Sequence, residues 1–314
     1  MRINVEQCAA LLKEQNDILI LTHAHPDGDT LGSGFGLCRA LLKIGKRARV
    51  INADDIPKKY SYLYADMPQC DFQEKFTVAV DVATENLLGD LAEIYGGKIN
   101  LCIDHHMTNT DYAEALLLED TPAACEVIYK VILALGAEMD PDIANCLFTG
   151  ISTDTGCFRY ASVTPATLRI AAELMDSGAD NGYINRVMFE TKTKTYAHLE
   201  RLALEGMEFF YSGRVAVMTV TQEMYRVTGS NEQETEALAP LTRQIDGVEI
   251  GVLVREKPDM TCKASLRTFE SVNAAELAKS FGGGGHAQAA ACRFDCGVAE
   301  AKNRIVEKCG ELLK

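Results

Sequence analysis

Positive charge is scarce in this chain: 31 Lys and Arg residues stand against 45 Asp and Glu among 314, a formal net charge of −14. That shortage excludes a long electrostatic contact with duplex DNA, which runs on many Lys and Arg contacts to phosphates. A small phosphorylated ligand stays compatible with it, because metal ions held by carboxylates supply positive charge locally. Long apolar runs are missing too. No segment approaches the roughly 20 apolar residues of a membrane span, and the opening MRINVEQCAALLKEQNDILILTHAHPDGD has no signal-like apolar stretch behind a basic start. No membrane association is expected, and the cytoplasm is the expected compartment. Paired CxxC elements are absent, so the eleven cysteines do not build a zinc site; their odd number and irregular spacing point to reduced thiols, Cys292 and Cys296 included. The sequence has no internal repeat, and its one low-complexity tract is Gly282 to Gly285.

What remains is an ordinary globular balance, 47% apolar and 24% charged. The length exceeds one compact core, so two domains are expected. In the first half, short β-branched runs alternate with helical patterns, the sign of a parallel sheet flanked by helices. Strands are predicted at Ile18 to Leu21, Ala48 to Ile51, Val78 to Val80 and Leu101 to Ile103. Helices are predicted over Leu31 to Ile44 and Ala123 to Leu135, with Gly45 and Gly136 placed to end them. The fold class is α/β: a parallel-sheet domain over 1–190, a connecting helix over 191–212, and a smaller α/β domain over 213–314, with the active site in the cleft between them. Thr193 to Phe210 reads as that connecting helix. Val215 to Val220 and Glu249 to Arg255 read as strands, and Ala237 to Leu241 as a helix. A further helix follows Asn273, which has capping-box spacing to Glu276.

The chemistry concentrates where the strands end. His23, Asp27 and Asp29 follow the first strand at spacing H-x3-D-x-D, at the carboxyl end of the sheet where ligands of open parallel sheets gather. Pro26 and Gly28 suit a tight turn. Asp81 follows the strand at Val78, Asp104, His105 and His106 follow the strand at Leu101, and GISTDTGCF supplies Asp154 in the same manner. One acidic residue after a strand is ordinarily solvated or capping a helix. Four such sites together raise one another's pKa unless a cation neutralises them, and oxygen-rich sites with one or two imidazoles suit manganese or a similar divalent ion. The H-x3-D spacing selects His23, and His25, lying between two expected ligands, is set aside. The acidic stretch Glu114 to Asp120 reads as a solvated surface.

At these residues the sequence resembles the DHH phosphoesterases, in Asp104-His105-His106 and in the segments HAHPDGD, AVDVA and STDTG. The resemblance implies a first divalent cation on His23, Asp27 and Asp81 and a second on Asp29, Asp81, His105 and Asp154. Mn2+ is expected, with Mg2+ or Co2+ able to support the same site. Asp81 would bridge. It further implies that His106 lies near the reacting phosphate and that Asp104 supports the histidines. Where relatives often carry an arginine five residues after the second aspartate motif, this chain has Asn86.

In the second half, Phe281-Gly-Gly-Gly-Gly-His286 sits between a capped helix and an apolar segment, so its backbone N–H groups are placed to cradle a phosphate rather than to act as a linker. This segment is similar to the DHH-associated C-terminal domain through Gly283, Gly284, Gly285 and His286, and through Ser265 and Arg267 in KASLRT. Arg267 and His286 are the expected phosphate contacts, with Ser265, the glycines and Asn109 as further substrate-binding candidates. Length and domain content resemble the bifunctional oligoribonucleases and 3′-phosphoadenosine 5′-phosphate phosphatases. The implied activity is two-metal hydrolysis of short single-stranded RNA or small nucleotides, with Asp81, Asp104 and His106 catalytic, and a homodimer is an assembly the sequence leaves open. The competing readings are a cyclic or linear dinucleotide phosphodiesterase, an inorganic pyrophosphatase, and a nucleotide sensor that binds without cutting.

Overall fold

Apolar residues occupy both sides of the strands in the first half, so these strands have to be covered on two faces. In the computed structural model, which describes residues 1–269 and 271–313 with the side chains of Gln233, Glu236 and His286 outside that description, the chain divides into two units, Met1–Thr191 and Lys192–Lys314.

The first unit runs α1 (Val5–Glu14), β1 (Ile18–Leu21), α2 (Gly28–Lys43), β2 (Ala48–Ile51), β3 (Phe76–Val80), α3 (Leu91–Tyr95), β4 (Leu101–Asp104), β5 (Ala115–Leu118), α4 (Ala124–Leu135), α5 (Pro141–Asp154), α6 (Pro165–Asp176) and α7 (Asn181–Asn185). Its five strands are all parallel in the order β2-β1-β3-β4-β5. Ile18 and Ile20 enter a core with Leu12, Leu41, Val127 and Leu147, while Leu19 and Leu21 face Leu88, Ile99 and Leu116. The order reverses direction between β1 and β3. In an open parallel sheet that reversal opens a crevice at the carboxyl ends of the two strands.

The four predicted strands of this half are present. A fifth, β5, replaces the solvated surface expected over 114–120: Ala115, Leu116 and Leu117 are buried beside β4, and their acidic flanks hid a four-residue apolar strand. Pro26 and Gly28 do not form a separate turn either, because Gly28 already begins α2 with Asp27 as its N-cap.

The second unit runs α8 (Lys194–Glu205), β6 (Glu208–Phe210), β7 (Val215–Val220), α9 (Gln222–Thr228), a 3₁₀ stretch Glu232–Arg243, β8 (Ile250–Glu256), β9 (Cys262–Thr268), α10 (Ala274–Lys279), β10 (Gly284–His286), β11 (Ala289–Phe294) and α11 (Val298–Leu312). Its six strands lie in the order β10-β11-β9-β8-β7-β6, with β7 and β8 parallel and the other pairs antiparallel. The helical pattern expected to run to Phe210 stops at Glu205, and Glu208–Phe210 pairs with β7. Tyr196, Leu199 and Ala203 of α8 pack with Met218, Val220 and Leu253, which makes this helix part of the second core. The expected helix at Ala237 to Leu241 is longer and 3₁₀ in type, with Pro240 inside it. Asn273 caps α10 as expected, accepting from the N–H groups of Ala275 and Glu276. All eleven cysteines are free thiols. Among the described residues no helix is long and apolar enough to cross a membrane.

Candidate metal centre

The crevice between β1 and β3 is where the first unit gathers its acidic residues. β1 ends at Leu21 and delivers His23. Asp27 then caps α2, its Oδ1 accepting the N–H groups of Asp29 and Thr30 at 3.0 and 3.1 Å. Asp29, in the first turn of α2, is fully buried. Its carboxylate accepts from the backbone N–H of Ala124 at 2.6 Å and of Cys125 at 2.9 Å, the first turn of α4, whose own N-cap residue Ala123 has no side chain to offer. The positive end of α4 thus stabilises a buried carboxylate brought from 95 residues earlier.

Asp81 follows β3 in a left-handed backbone conformation, φ 57°, and its buried side chain divides its two oxygens. Oδ2 lies 3.6 Å from His23 Nε2, and Oδ1 lies 3.4 Å from His105 Nε2. Asp154 does not follow a strand, contrary to the expectation from sequence: it is the last residue of α5. Small residues bring that helix end in. A Cβ on Gly28 would stand 2.3 Å from Thr153 Oγ1, one on Gly32 would stand 2.4 Å from the Cys146 carbonyl, and one on Gly150 would stand 2.7 Å from Asp29 Oδ1. Only glycine permits so close an approach of α2 and α5. Asp154 Oδ2 reaches 3.7 Å from His105 Nε2.

Both imidazoles are oriented by backbone carbonyls. His23 Nδ1 donates to the Ala24 oxygen at 2.8 Å, and His105 Nδ1 donates to the Thr121 oxygen at 2.8 Å. Each ring is thereby left with Nε2 facing carboxylates, the orientation that metal-ligating histidines take from their surroundings. Among the described residues Asp81 Oδ1 and His105 Nε2 are buried without a hydrogen-bond partner. Two orphaned, buried polar atoms set 3.4 Å apart are costly alone and suit a cation that accepts both. His23, Asp27 and Asp81 form one group able to hold a metal ion, Asp29, His105 and Asp154 form another, and Asp81, His105 and His106 form a third between them.

The electrostatics agree. Burial works against the His23 imidazolium, but Asp27 and Asp81 push its pKa up to about 9. For His105 burial is likewise overcome by Asp81 and Asp29, and the pKa rises to about 10. Burial and the charge of Asp29 push Asp81 up to about 7 and hold Asp154 well above the ordinary carboxylate range. A field that binds protons so strongly is one a divalent cation can occupy in their place.

Beside this centre, His106 Nδ1 donates to Asp104 Oδ1 at 2.9 Å. Asp104 is fully buried, accepts the His105 N–H at 2.8 Å, and takes the Asn109 amide on its other oxygen at 2.7 Å. Burial alone would raise the Asp104 pKa; the His106 and Asn109 hydrogen bonds lower it. Asn109, a substrate-binding candidate from the sequence, commits its amide to Asp104 and to the Val82 carbonyl, and its oxygen accepts the Asp111 N–H. His25 is exposed beside Asp54 at 3.1 Å, and among the described residues it belongs to none of the groups able to hold a metal ion. The groups that sequence reasoning missed are mostly backbone: the carbonyls of Ala24 and Thr121 and the N–H groups of Ala124 and Cys125. No residue type signals them.

In the second unit Ser265 and Arg267 lie on β9, the Arg267 Nη1 donating to the Leu266 carbonyl at 3.0 Å. The glycine run is folded: Gly282 is left-handed at φ 72°, and Gly284–His286 is edge strand β10, paired with β11. A Cβ on Gly285 would lie 2.6 Å from the Ala289 carbonyl. Being an edge, β10 has backbone groups that no strand takes among the described residues. The His286 side chain lies outside the described residues.

Residues 17–151 match the N-terminal domain of the DHH family, and residues 213–314 match the DHHA1 domain. A Thermus thermophilus protein named bifunctional oligoribonuclease and PAP phosphatase NrnA is 32% identical over 321 residues, a match that covers 100% of this chain and 94% of that protein. A Listeria monocytogenes protein named cyclic-di-AMP phosphodiesterase PdeA is 22% identical over 97% of this chain and 49% of its own length. The crystal structure of an exopolyphosphatase-related protein from Bacteroides fragilis has the same fold, with a TM-score of 0.90 at 23% identity over 99% of this chain and 98% of that one.

Proposed function

The chain belongs to the DHH family and is a phosphoester hydrolase, and on that premise we propose that it hydrolyses short oligoribonucleotides to mononucleotides, and 3′-phosphoadenosine 5′-phosphate to AMP, with Mn2+ as its cofactor. The observation that carries the reading is the divided Asp81 carboxylate, one oxygen toward His23 and the other toward His105.

His23, Asp27 and Asp81 would hold one cation, and Asp29, Asp81, His105 and Asp154 the other. When bound, such a pair supplies the positive charge that a phosphoryl group requires and lowers the pKa of a water. The chain does the rest. Asp29, gripped by the start of α4, and Asp81, at the end of a rigid strand, give the site its fixed geometry. Asp104 holds His106 by Nδ1, so that the imidazole presents a set face to the charge developing on the phosphoryl oxygens. Ser265, Arg267, the Gly283 to Gly285 backbone and His286 bind the substrate phosphates, the planar guanidinium being suited to a terminal one. The enzyme operates in the cytoplasm.

The name of the Listeria relative favours one other reading, cleavage of a cyclic or linear dinucleotide. A time course of the purified chain with Mn2+ on a linear RNA dinucleotide, a five-residue RNA, 3′-phosphoadenosine 5′-phosphate and a cyclic dinucleotide separates the two, with Asp81→Ala as control. Mononucleotide release from the linear RNAs, lost in Asp81→Ala, supports the proposal. Turnover of the cyclic substrate alone moves the assignment to the second reading. Metal binding with no turnover of any of the four substrates removes both and leaves a nucleotide sensor.

A further inference from the structure

Side chains alternate across a strand, and β9 and β11 turn one set of residues to the core, although Ser265 on the second face is buried as well. Ala264, Leu266, Ala290, Cys292 and Phe294 are buried in the core. The opposite face carries three cross-strand rows in register: Arg267 with Ala289, Ser265 with Ala291, and Lys263 with Arg293. The middle row is small, so the floor between the outer rows is low. At about 3.3 Å of rise per residue, Lys263 lies roughly 13 Å along β9 from Arg267.

Lys263 and Arg293 also line a cavity of about 240 Å³ whose other walls include Phe281 and the Gly282-Gly283 turn. The Phe281 ring is held by Phe294, centroids 4.9 Å apart. In the neighbouring hollow the carboxylates have partners of their own, Glu232 with Lys257 and Asp259 with the N–H and hydroxyl of Thr261. Lys263 has an interaction of its own within the chain, and it and Arg293 line this hollow as well. In a chain of net charge −14, two adjacent cations above a cavity with an aromatic wall form an anion-binding feature, and phosphate together with an apolar ring face is the chemistry of a nucleotide.

We propose that Lys263 and Arg293 form a subsite for a further phosphodiester of single-stranded RNA, with Phe281 as the apolar wall for the attached nucleoside. This deepens the reading in which Arg267 takes a substrate phosphate. The subsite would give RNA longer than a dinucleotide an affinity that the dinucleotide cannot gain.

The test compares the full chain with its Lys263→Gln/Arg293→Gln variant and with a Lys263→Arg/Arg293→Lys exchange that keeps both charges. Fluorescence anisotropy with labelled five-residue and two-residue RNA is read in the Asp81→Asn background with EDTA, so that binding is measured without cleavage. The expected result is a loss of roughly tenfold for the five-residue RNA in the Gln variant, less than twofold for the dinucleotide, and recovery in the exchange variant. The slope of log affinity against log salt for the longer RNA should flatten by about 0.7, the value for one lost phosphate contact on a single strand. Equal weakening of both RNAs, or of neither, overturns the subsite. Because the readout is binding, failure of the wild-type chain to cleave either RNA counts against the proposed function alone, and the anisotropy still decides the subsite.

Discussion

The carboxylate of Asp29 accepts the backbone N–H of Cys125 at 2.9 Å, joining residues 96 positions apart. With the N–H of Ala124 on its other oxygen, Asp29 acts as the N-cap that α4 lacks in Ala123, while facing His105 Nε2 at 3.8 Å. Asp29→Ala should therefore do two separable things. Metal binding should fall, and the first turn of α4 should fray, at a cost on the order of 1 kcal/mol, as for other lost caps. Hydrogen exchange of the Ala124 and Cys125 amides checks the second effect. Unchanged protection there would remove the capping role.

The pH dependence has a definite sign. His23 and His105, pushed up to about 9 and about 10, and Asp81, pushed up to about 7, are all raised above their unfolded values. Each therefore stabilises the metal-free fold most at low pH, and that stability is lost as pH rises through the folded pKa. Metal-free protein should lose thermal stability from about pH 4, through Asp81, up to about pH 10, through the two histidines. Cation binding ejects the same protons, so affinity should rise with pH, with net proton release at about pH 7. Calorimetric titration with Mn2+ in two buffers of different ionisation enthalpy counts the released protons. Proton uptake would contradict the assignment of these residues as ligands.

Asn109 reaches no ligand group of the metal centre directly, yet its amide holds Asp104, which in turn holds His106. Asn109→Ala should lower kcat by about 10- to 100-fold, as removal of supporting partners in metal sites does, with a smaller change in KM. The KM against kcat split distinguishes this role from a substrate contact, which would raise KM.

Gly32 marks a close approach of α2 to the Cys146 carbonyl, 2.4 Å from where a Cβ would stand. Alanine improves helix propensity by about 1 kcal/mol in open space, but here it has to push α5 away. Gly32→Ala should destabilise by about 1–3 kcal/mol and displace Asp154 from the other ligands. Thermal unfolding with and without Mn2+ checks this: the metal-induced rise in Tm should shrink. A variant more stable than wild type, with full metal response, would show that the helix contact yields.

Much of the candidate cluster was legible because its spacing is local. His23, Asp27 and Asp29 lie close together after a buried strand, and Asp104, His105 and His106 are consecutive, so strand ends alone bring them to one edge of the sheet. The glycine run declared itself through its neighbours, a capped helix before it and an apolar strand after it. β5 stayed hidden because four apolar residues between acidic flanks resemble a surface loop until β4 is there to pair with them. The end of the connecting helix stayed hidden as well, since Glu208–Phe210 is a strand only by virtue of β7.

By itself, then, the sequence determined which candidate residues gather and near which strand ends they stand, because side-chain type and backbone period are local properties. Only the tertiary structure decided that Asp81 turns one oxygen toward each imidazole, that Asp154 arrives on the end of a helix drawn in by Gly28 and Gly32, that Asp29 takes its fixed position from the backbone of α4, and that Asn109 supports Asp104. Each of these depends on packing between segments far apart in the chain, where close approach and burial choose the partner and no spacing along the sequence announces it.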